Sequence, residues 1–205
     1  MSMRALVSIP VFLCSAGLAG AEPLAIGAAV PPAVAGVTME NLDGSRLAIN
    51  DIRGSAGTLV VFSCNHCPYV VAWEERMASL FNGASEQGIG VIVINSNDSE
   101  KYPADSLPKM RDRAKERGFE FPYVVDATSE VARAFGATRT PEVFLFDDAG
   151  KLSYHGAIDD NSEDPLGVKE HYLRDAMHAL IAGEKVKTKQ TKAIGCTIKF
   201  RPKAG

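Results

Sequence analysis

The sequence predicts an α/β protein: a central mixed β-sheet flanked by helices, with an N-terminal β-hairpin extension. Three observations carry that expectation. Gly57–Ser63 and Ile89–Ile94 are nearly unbroken apolar runs, the mark of strands covered on both faces. Each run is followed by a stretch with helical spacing, so strands alternate with helices. Two cysteines, Cys64 and Cys67, stand at the turn between the first run and its helix.

Residues 1–21 read as a secretory signal peptide. Arg4 precedes an apolar run from Ala5 to Ala19, and Ala19-Gly20-Ala21 offers small residues for cleavage before Glu22. The run is short for a membrane span; an uncleaved anchor is the alternative. Cys14 follows Phe12 and Leu13, which are too large for a usual lipoprotein site. Residues 22–205 then form a single domain, periplasmic or secreted, with a tail at 185–205 that carries Cys196. The chain of 205 residues is long enough for one sizeable core. Its formal net charge of −3, or −4 without Arg4, shows no basic excess that would suit nucleic acid. No later stretch is apolar for long enough to cross a membrane, and a monomer is expected. An exported chain lives where disulfides persist, and if Cys64 pairs with Cys67, Cys196 is left over.

Taken in order, Pro23–Val37 is rich in Ala, Gly and Pro and reads as an extended lead-in. Val37–Leu42 and Arg46–Ile49 flank Asp43-Gly44, a hairpin signal. Asp51–Gly54 suggests one helical turn. After the cysteines, Val70, Val71, Trp73, Met77, Leu80 and Phe81 keep one apolar face, predicting a helix from Val70 to about Glu86 that ends at Gly83 and Gly88. Asn95–Asp98 is a loop, and charged Leu107–Arg117 is a surface helix closed by Gly118. Phe121–Asp126 is a short strand. Thr128 or Ser129 caps a helix over Glu130–Phe135, and Gly136 ends it. Thr140-Pro141 precedes a strand to Phe146. A turn at Asp147–Gly150 leads to a strand over Lys151–Ala157. A last helix over Val168–Ala182 points Tyr172, Leu173, Ala176, Leu180 and Ile181 inward.

The chemistry centres on Cys64 and Cys67. A zinc site of two Cys-x-x-Cys pairs needs a second pair, and there is none. One pair opening a helix after a buried strand suits a redox-active dithiol. A metal site and an inert disulfide are the alternatives. The free N–H groups of the helix start are expected to stabilise a thiolate at Cys64. Cys64, nearer the exposed end, is expected to be the nucleophile, and Cys67, one turn in, the resolving thiol. His66 adds a cation beside them. No glycine-rich phosphate loop implies an organic cofactor.

The Cys-x-x-Cys at a helix start, the β-α-β order and Thr140-Pro141 before a strand resemble the thioredoxin fold. That resemblance implies a cis-proline, Pro141, opposite the dithiol, and a Thr140 whose backbone groups meet the partner chain. Asp126–Phe146 is similar to the extracytoplasmic thioredoxin-like and peroxiredoxin-like thiol reductases. Phe62–Val70, which contains Asn65, His66 and Pro68, together with Ile94–Asp98 and Thr191–Lys199, resembles a peroxiredoxin-like subfamily of that fold. The resemblance implies a thiol–disulfide oxidoreductase acting on protein thiols or disulfides, coupled to an external electron donor or acceptor.

Two departures matter. Thr58 stands where thioredoxins place a buried carboxylate that moves a proton to the second cysteine, which leaves that task to water or Glu142. Val61 stands where peroxiredoxins place Thr or Ser three residues before a peroxidatic cysteine, so a thiol peroxidase is the second expectation. A copper chaperone is the third, because thiolates and imidazole suit Cu(I). Its usual cysteine spacing is three rather than two, however; His155 lies in a strand, and nothing places His171 or His178 near the sulfurs. Cys196 lies in a tail that reads as a short returning strand. It either exchanges with the dithiol or fills a packing gap.

Overall fold

The structure, a computed structural model, describes residues 22–202. The expected signal peptide, with Cys14, lies outside them. The lead-in is not wholly extended: Pro32–Ala35 makes one helical turn, α1. The hairpin is shorter than expected, with β1 at Met39–Asn41 and β2 at Arg46–Leu47. The expected turn at Asp51–Gly54 is a 3-10 turn over Ile49–Ile52. The apolar runs form β3 (Gly57–Ser63) and β4 (Ile89–Asn95), both buried along their whole length.

Between them, α2 spans Pro68–Phe81. It starts earlier than the periodicity suggested because proline costs nothing at the first helical position. It ends earlier because Gly83 takes φ 71°, after which Ala84–Gln87 forms a separate 3-10 turn. α3 (Leu107–Arg117) ends as expected at a left-handed Gly118. β5 is limited to Tyr123–Val125, and α4 covers Glu130–Phe135. Ser129 stands at the cap position of α4 but does not cap it; the Thr128 hydroxyl accepts the Glu130 N–H at the helix start (3.3 Å). The Ser129 hydroxyl donates to Ser96 O instead, and Asp126 Oδ2 accepts the Ala132 N–H (3.1 Å).

Then follow β6 (Arg139–Thr140), β7 (Glu142–Asp147), β8 (Leu152–Gly156), α5 (Tyr172–Ile181) and β9 (Cys196–Thr197). α5 starts four residues later than expected; a separate 3-10 turn over Pro165–Gly167 precedes it, and 168–171 lie outside any helix. Its buried face is Leu173, Ala176 and Met177; Ile181, expected inward, is exposed.

The main sheet runs β2-β1-β5-β4-β3-β7-β8. β3, β4 and β5 are parallel, whereas β1, β7 and β8 join antiparallel, so the sheet is mixed. Period-two alternation splits its core into two layers. Leu59, Val61, Val91, Val93, Val143 and Leu145 pack with Trp73 and Met77 of α2, Met110 of α3 and Leu173 of α5. Val60, Phe62, Ile92, Ile94, Phe144 and Phe146 pack with Val131 and Phe135 of α4. Helices thus cover both faces. A register of seven pairs between β3 and β4 ends at Ser63↔Asn95, which places Cys64 beside the Asn95–Asp98 loop. No helix among the described residues is long and apolar enough to cross a membrane.

Candidate active site

Cys67, not Cys64, is the N-cap residue of α2. Pro68 has no N–H, so the first free amides of the helix belong to Tyr69 and Val70, and the positive end of the helix faces Cys67. This corrects the expectation that the helix start serves Cys64. Nor is Cys64 an exposed thiol: it is 2% accessible and Cys67 0%. Both pack with Val70, and Cys196 closes the same cluster from the tail. Pro68 itself is exposed.

The Thr140–Pro141 peptide bond is cis. The Thr140 hydroxyl lies 3.3 Å from Cys64 Sγ, and its carbonyl oxygen lies 3.0 Å from Cys67 Sγ, where it accepts a hydrogen bond when Cys67 is a thiol. The outer backbone edge at Thr140, expected to meet a partner, carries the chain's own tail. β6 and β9 pair antiparallel in the register Arg139↔Thr197 and Thr140↔Cys196. The Cys196 N–H donates to Cys67 Sγ at 3.4 Å. Three sulfurs therefore gather on one side of Thr140.

Asp105, which pattern reading passed over, anchors the loop between the cysteines. It sits in a short 3-10 turn, Pro103–Asp105, with its side chain fully buried. Oδ1 accepts the Asn65 N–H (2.8 Å), while Oδ2 meets His66 Nδ1 (2.7 Å) and accepts from Asn97 Nδ2 (2.8 Å). His66 is therefore held, stacked on Tyr102 at 5.7 Å, rather than simply solvated. Asn65 also donates to Ala104 O (2.8 Å) and accepts from the Tyr123 hydroxyl (3.1 Å). Asn97 Oδ1 accepts the Lys199 N–H (2.7 Å) from the tail. The three stretches that carried the subfamily resemblance are thus linked through Asp105 and Asn97: Asp105 holds the cysteine loop, and Asn97 joins Asp105 to the tail.

Glu142, one candidate for moving protons to Cys67, is committed elsewhere. Oε2 accepts the Thr138 and Arg139 amides (2.8 Å each), and Oε1 meets His155 Nε2 (2.8 Å). It fixes the backbone leading into Thr140–Pro141. Thr58 lies near the start of β3, at the end of the strand away from the cysteines.

Cys64 and Cys67 titrate as one unit. The hydrogen bond from the Cys64 thiol is the main effect lowering Cys67, to about 4, against the cost of burial. The Cys196 thiol and the amides of Val70 and Cys196 add to it. The Thr140 carbonyl, 3.0 Å away, favours the thiol form instead. Cys64 is pushed up, first because it shares its proton with Cys67, then by burial and the charge of Asp105. The helix amide of Val70 favours the charge on Cys67 rather than on Cys64, where it was expected.

Cys64, His66 and Asp105 bring one potential metal ligand each within 4.8 Å of one another. Both oxygens of Asp105 already serve amide and imidazole groups, so the carboxylate is a committed acceptor and a poor fit for a metal. A cavity of about 690 Å³ near Ile26, Ser55 and Leu180 contains none of the sulfurs.

Fold and site together define a thioredoxin-like dithiol protein. A solved thioredoxin-like protein in its oxidised form superposes with a TM-score of 0.60 over 78% of this chain and 98% of that one, at 18% identity, and shows the fold alone. The AhpC/TSA family matches residues 26–155, more than half the chain, and the chain belongs to that family. A conserved Geobacillus kaustophilus protein of known structure is 37% identical, with a TM-score of 0.81 over 88% of this chain and 94% of that one. The thiol-disulfide oxidoreductase ResA of Halalkalibacterium halodurans is 26% identical over 114 residues, 56% of this chain. The match spans 60% of that relative's own length.

Proposed function

We propose that this chain is an exported thiol–disulfide oxidoreductase that exchanges disulfides with protein partners through Cys64 and Cys67. The observation that carries the reading is the coupled dithiol at the start of α2, held by Thr140 beside the cis bond to Pro141. The ResA relatives support it by name.

Cys64, at the outer end of the pair, forms the mixed disulfide. At rest Cys67 holds the negative charge and accepts the proton of Cys64, which makes Cys64 the nucleophile as a partner disulfide arrives. Attack at the partner sulfur forms a Cys64–partner bond and releases the other partner thiolate. The released partner thiolate takes the proton from Cys67, and the Cys67 thiolate then attacks Cys64 Sγ, closes the Cys64–Cys67 disulfide and releases the second thiolate. Two electrons pass to the partner, and the reverse sequence oxidises it. The pair acts as its own acid and base, so no carboxylate is needed at Thr58. Asn65 and His66, through Asp105, hold the loop, and Pro68 aims the helix amides at Cys67. Thr140 and Pro141 form the edge a partner reaches when the tail strand yields.

Insulin reduction driven by an external dithiol tests the proposal. Cys64→Ser and Cys67→Ser should each abolish turnover, and turnover at the wild-type rate in either would refute it. A second reading, a thiol peroxidase, draws on the AhpC/TSA match. Dithiol-dependent peroxide consumption faster than insulin reduction would favour it.

A further inference from the structure

Cys196 is fixed against the dithiol by more contacts than a gap-filling thiol requires. Gly195 lies so close to the Thr140 carbonyl that a Cβ there would stand 2.1 Å from the oxygen. β9 pairs with β6, and the Cys196 amide reaches Cys67 Sγ. Beyond it, the Ile198 N–H donates to Thr138 O (2.9 Å) and the Asp98 N–H to Lys199 O (2.7 Å). The Arg201 N–H donates to Ser129 Oγ (3.0 Å). The tail beyond Cys196 is thereby stapled to the Asn95–Asp98 loop, to the residue before β6 and to the cap position of α4. The two dithiol sulfurs are closed off, whereas Cys196 is only half-buried. Of the three, it is the sulfur an outside thiol meets first.

We infer that Cys196 is the third thiol of an intramolecular relay, carrying the disulfide between the buried Cys64–Cys67 pair and thiols outside the protein. The inference rests on the dithiol chemistry proposed above. Starting from the Cys64–Cys67 disulfide, the Cys196 thiolate attacks Cys67 Sγ. The Cys67–Cys196 bond forms, the Cys64–Cys67 bond breaks, and Cys64 leaves as a thiolate that takes up a proton. The Thr140 hydroxyl, 3.3 Å from Cys64 Sγ, is placed to receive that thiolate. This step is an exchange with no net oxidation. An external thiolate then attacks Cys196 Sγ and frees Cys67. A second external thiol resolves the mixed disulfide, so two electrons enter from two thiols, which leave as one disulfide.

The charges favour the order of events. In the reduced protein burial raises the Cys196 thiol, and the hydrogen bond and charge of Cys67 raise it further, to about 11. Once Cys67 is in a disulfide that charge is gone. Lys199 and Arg139, which favour the Cys196 thiolate, remain. The relay thiol is released when there is a disulfide for it to attack.

The full chain is oxidised with diamide, free thiols are blocked with iodoacetamide, and disulfide-linked peptides are mapped. Cys64→Ser should yield an intramolecular Cys67–Cys196 disulfide. Cys196→Ser should still close Cys64–Cys67, but its reduction by glutathione should slow by about tenfold or more. Gly195→Ala placed on Cys64→Ser, which keeps Cys67 and Cys196 but displaces the tail, should lower the yield of the Cys67–Cys196 disulfide. Cys67 and Cys196 both alkylated in oxidised Cys64→Ser, or unchanged glutathione kinetics in Cys196→Ser, would overturn the relay. A wild-type protein that never closes Cys64–Cys67 would overturn the dithiol reading instead.

Discussion

Replacing Cys64 by Ala should raise the acidity midpoint of Cys67. The Cys64 thiol is the largest single contributor to holding Cys67 at about 4. The Cys196 thiol and the Val70 and Cys196 amides survive the substitution. A hydrogen bond to a charged group is worth ~1.5–3 kcal/mol, and one pH unit corresponds to about 1.4 kcal/mol. The midpoint should therefore climb by roughly one to two pH units. Thiolate absorbance of the reduced protein, followed against pH, reads it directly. Wild type should lose its thiolate signal as the pH falls through about 4, and Cys64→Ala should lose it at clearly higher pH. The same shift fixes a stability trend. The folded value lies below the ordinary thiol value of 9.0, so the stabilisation from Cys67 grows as the pH rises from about 4 towards 9.0, and above 9.0 the raised Cys64 works against it. A wild-type midpoint near 9, or no movement in Cys64→Ala, would refute the reasoning.

Other perturbations follow from the same contacts. Asp105→Asn removes a charge that raises Cys64, so Cys64 should alkylate faster at fixed pH, as peptide mapping would show. Losing an acceptor for Asn65, His66 and Asn97 should also cost ~1.5–3 kcal/mol in a urea melt. Glu142→Ala strands two amides and His155, and the melt should fall by roughly 3 kcal/mol or more. Glu74 is buried and paired with Arg113 at 2.6 Å and Arg117 at 3.1 Å. Glu74→Ala should cost ~1–3 kcal/mol and leave the Cys67 titration unchanged.

Much of the fold was legible because its signals are local. The runs that became β3 and β4 announce burial on both faces, and Trp73, Met77 and Phe81 mark the buried side of α2 without reference to anything distant. Thr140-Pro141 before an apolar strand marked the cis bond by resemblance. The site was less legible because its contacts are remote in sequence. Asp105 is one acid in a polar loop, and only the closing of that loop over Asn65 and His66 gives it three partners. The tail strand is two residues long, too short for any periodicity. Its meaning comes from pairing with Thr140 and from an amide reaching a sulfur 129 positions away. A helix start expected near Val70 leaves open which of the two sulfurs meets its amides; the N-cap position of Cys67 gives them to Cys67.

The pH dependence of the Cys64–Cys67 reduction potential tests the central claim most directly. If the reduced pair keeps one proton and one thiolate, two electrons travel with one proton, and the potential should fall by about 30 mV per pH unit between pH 5 and 8. Because the thiolate favours the reduced form, the value at pH 7 should be less negative than the ~−270 mV of thioredoxin. A slope of about 59 mV per pH unit, with a potential at or below ~−270 mV, would mean that both thiols keep their protons. That result would contradict the account.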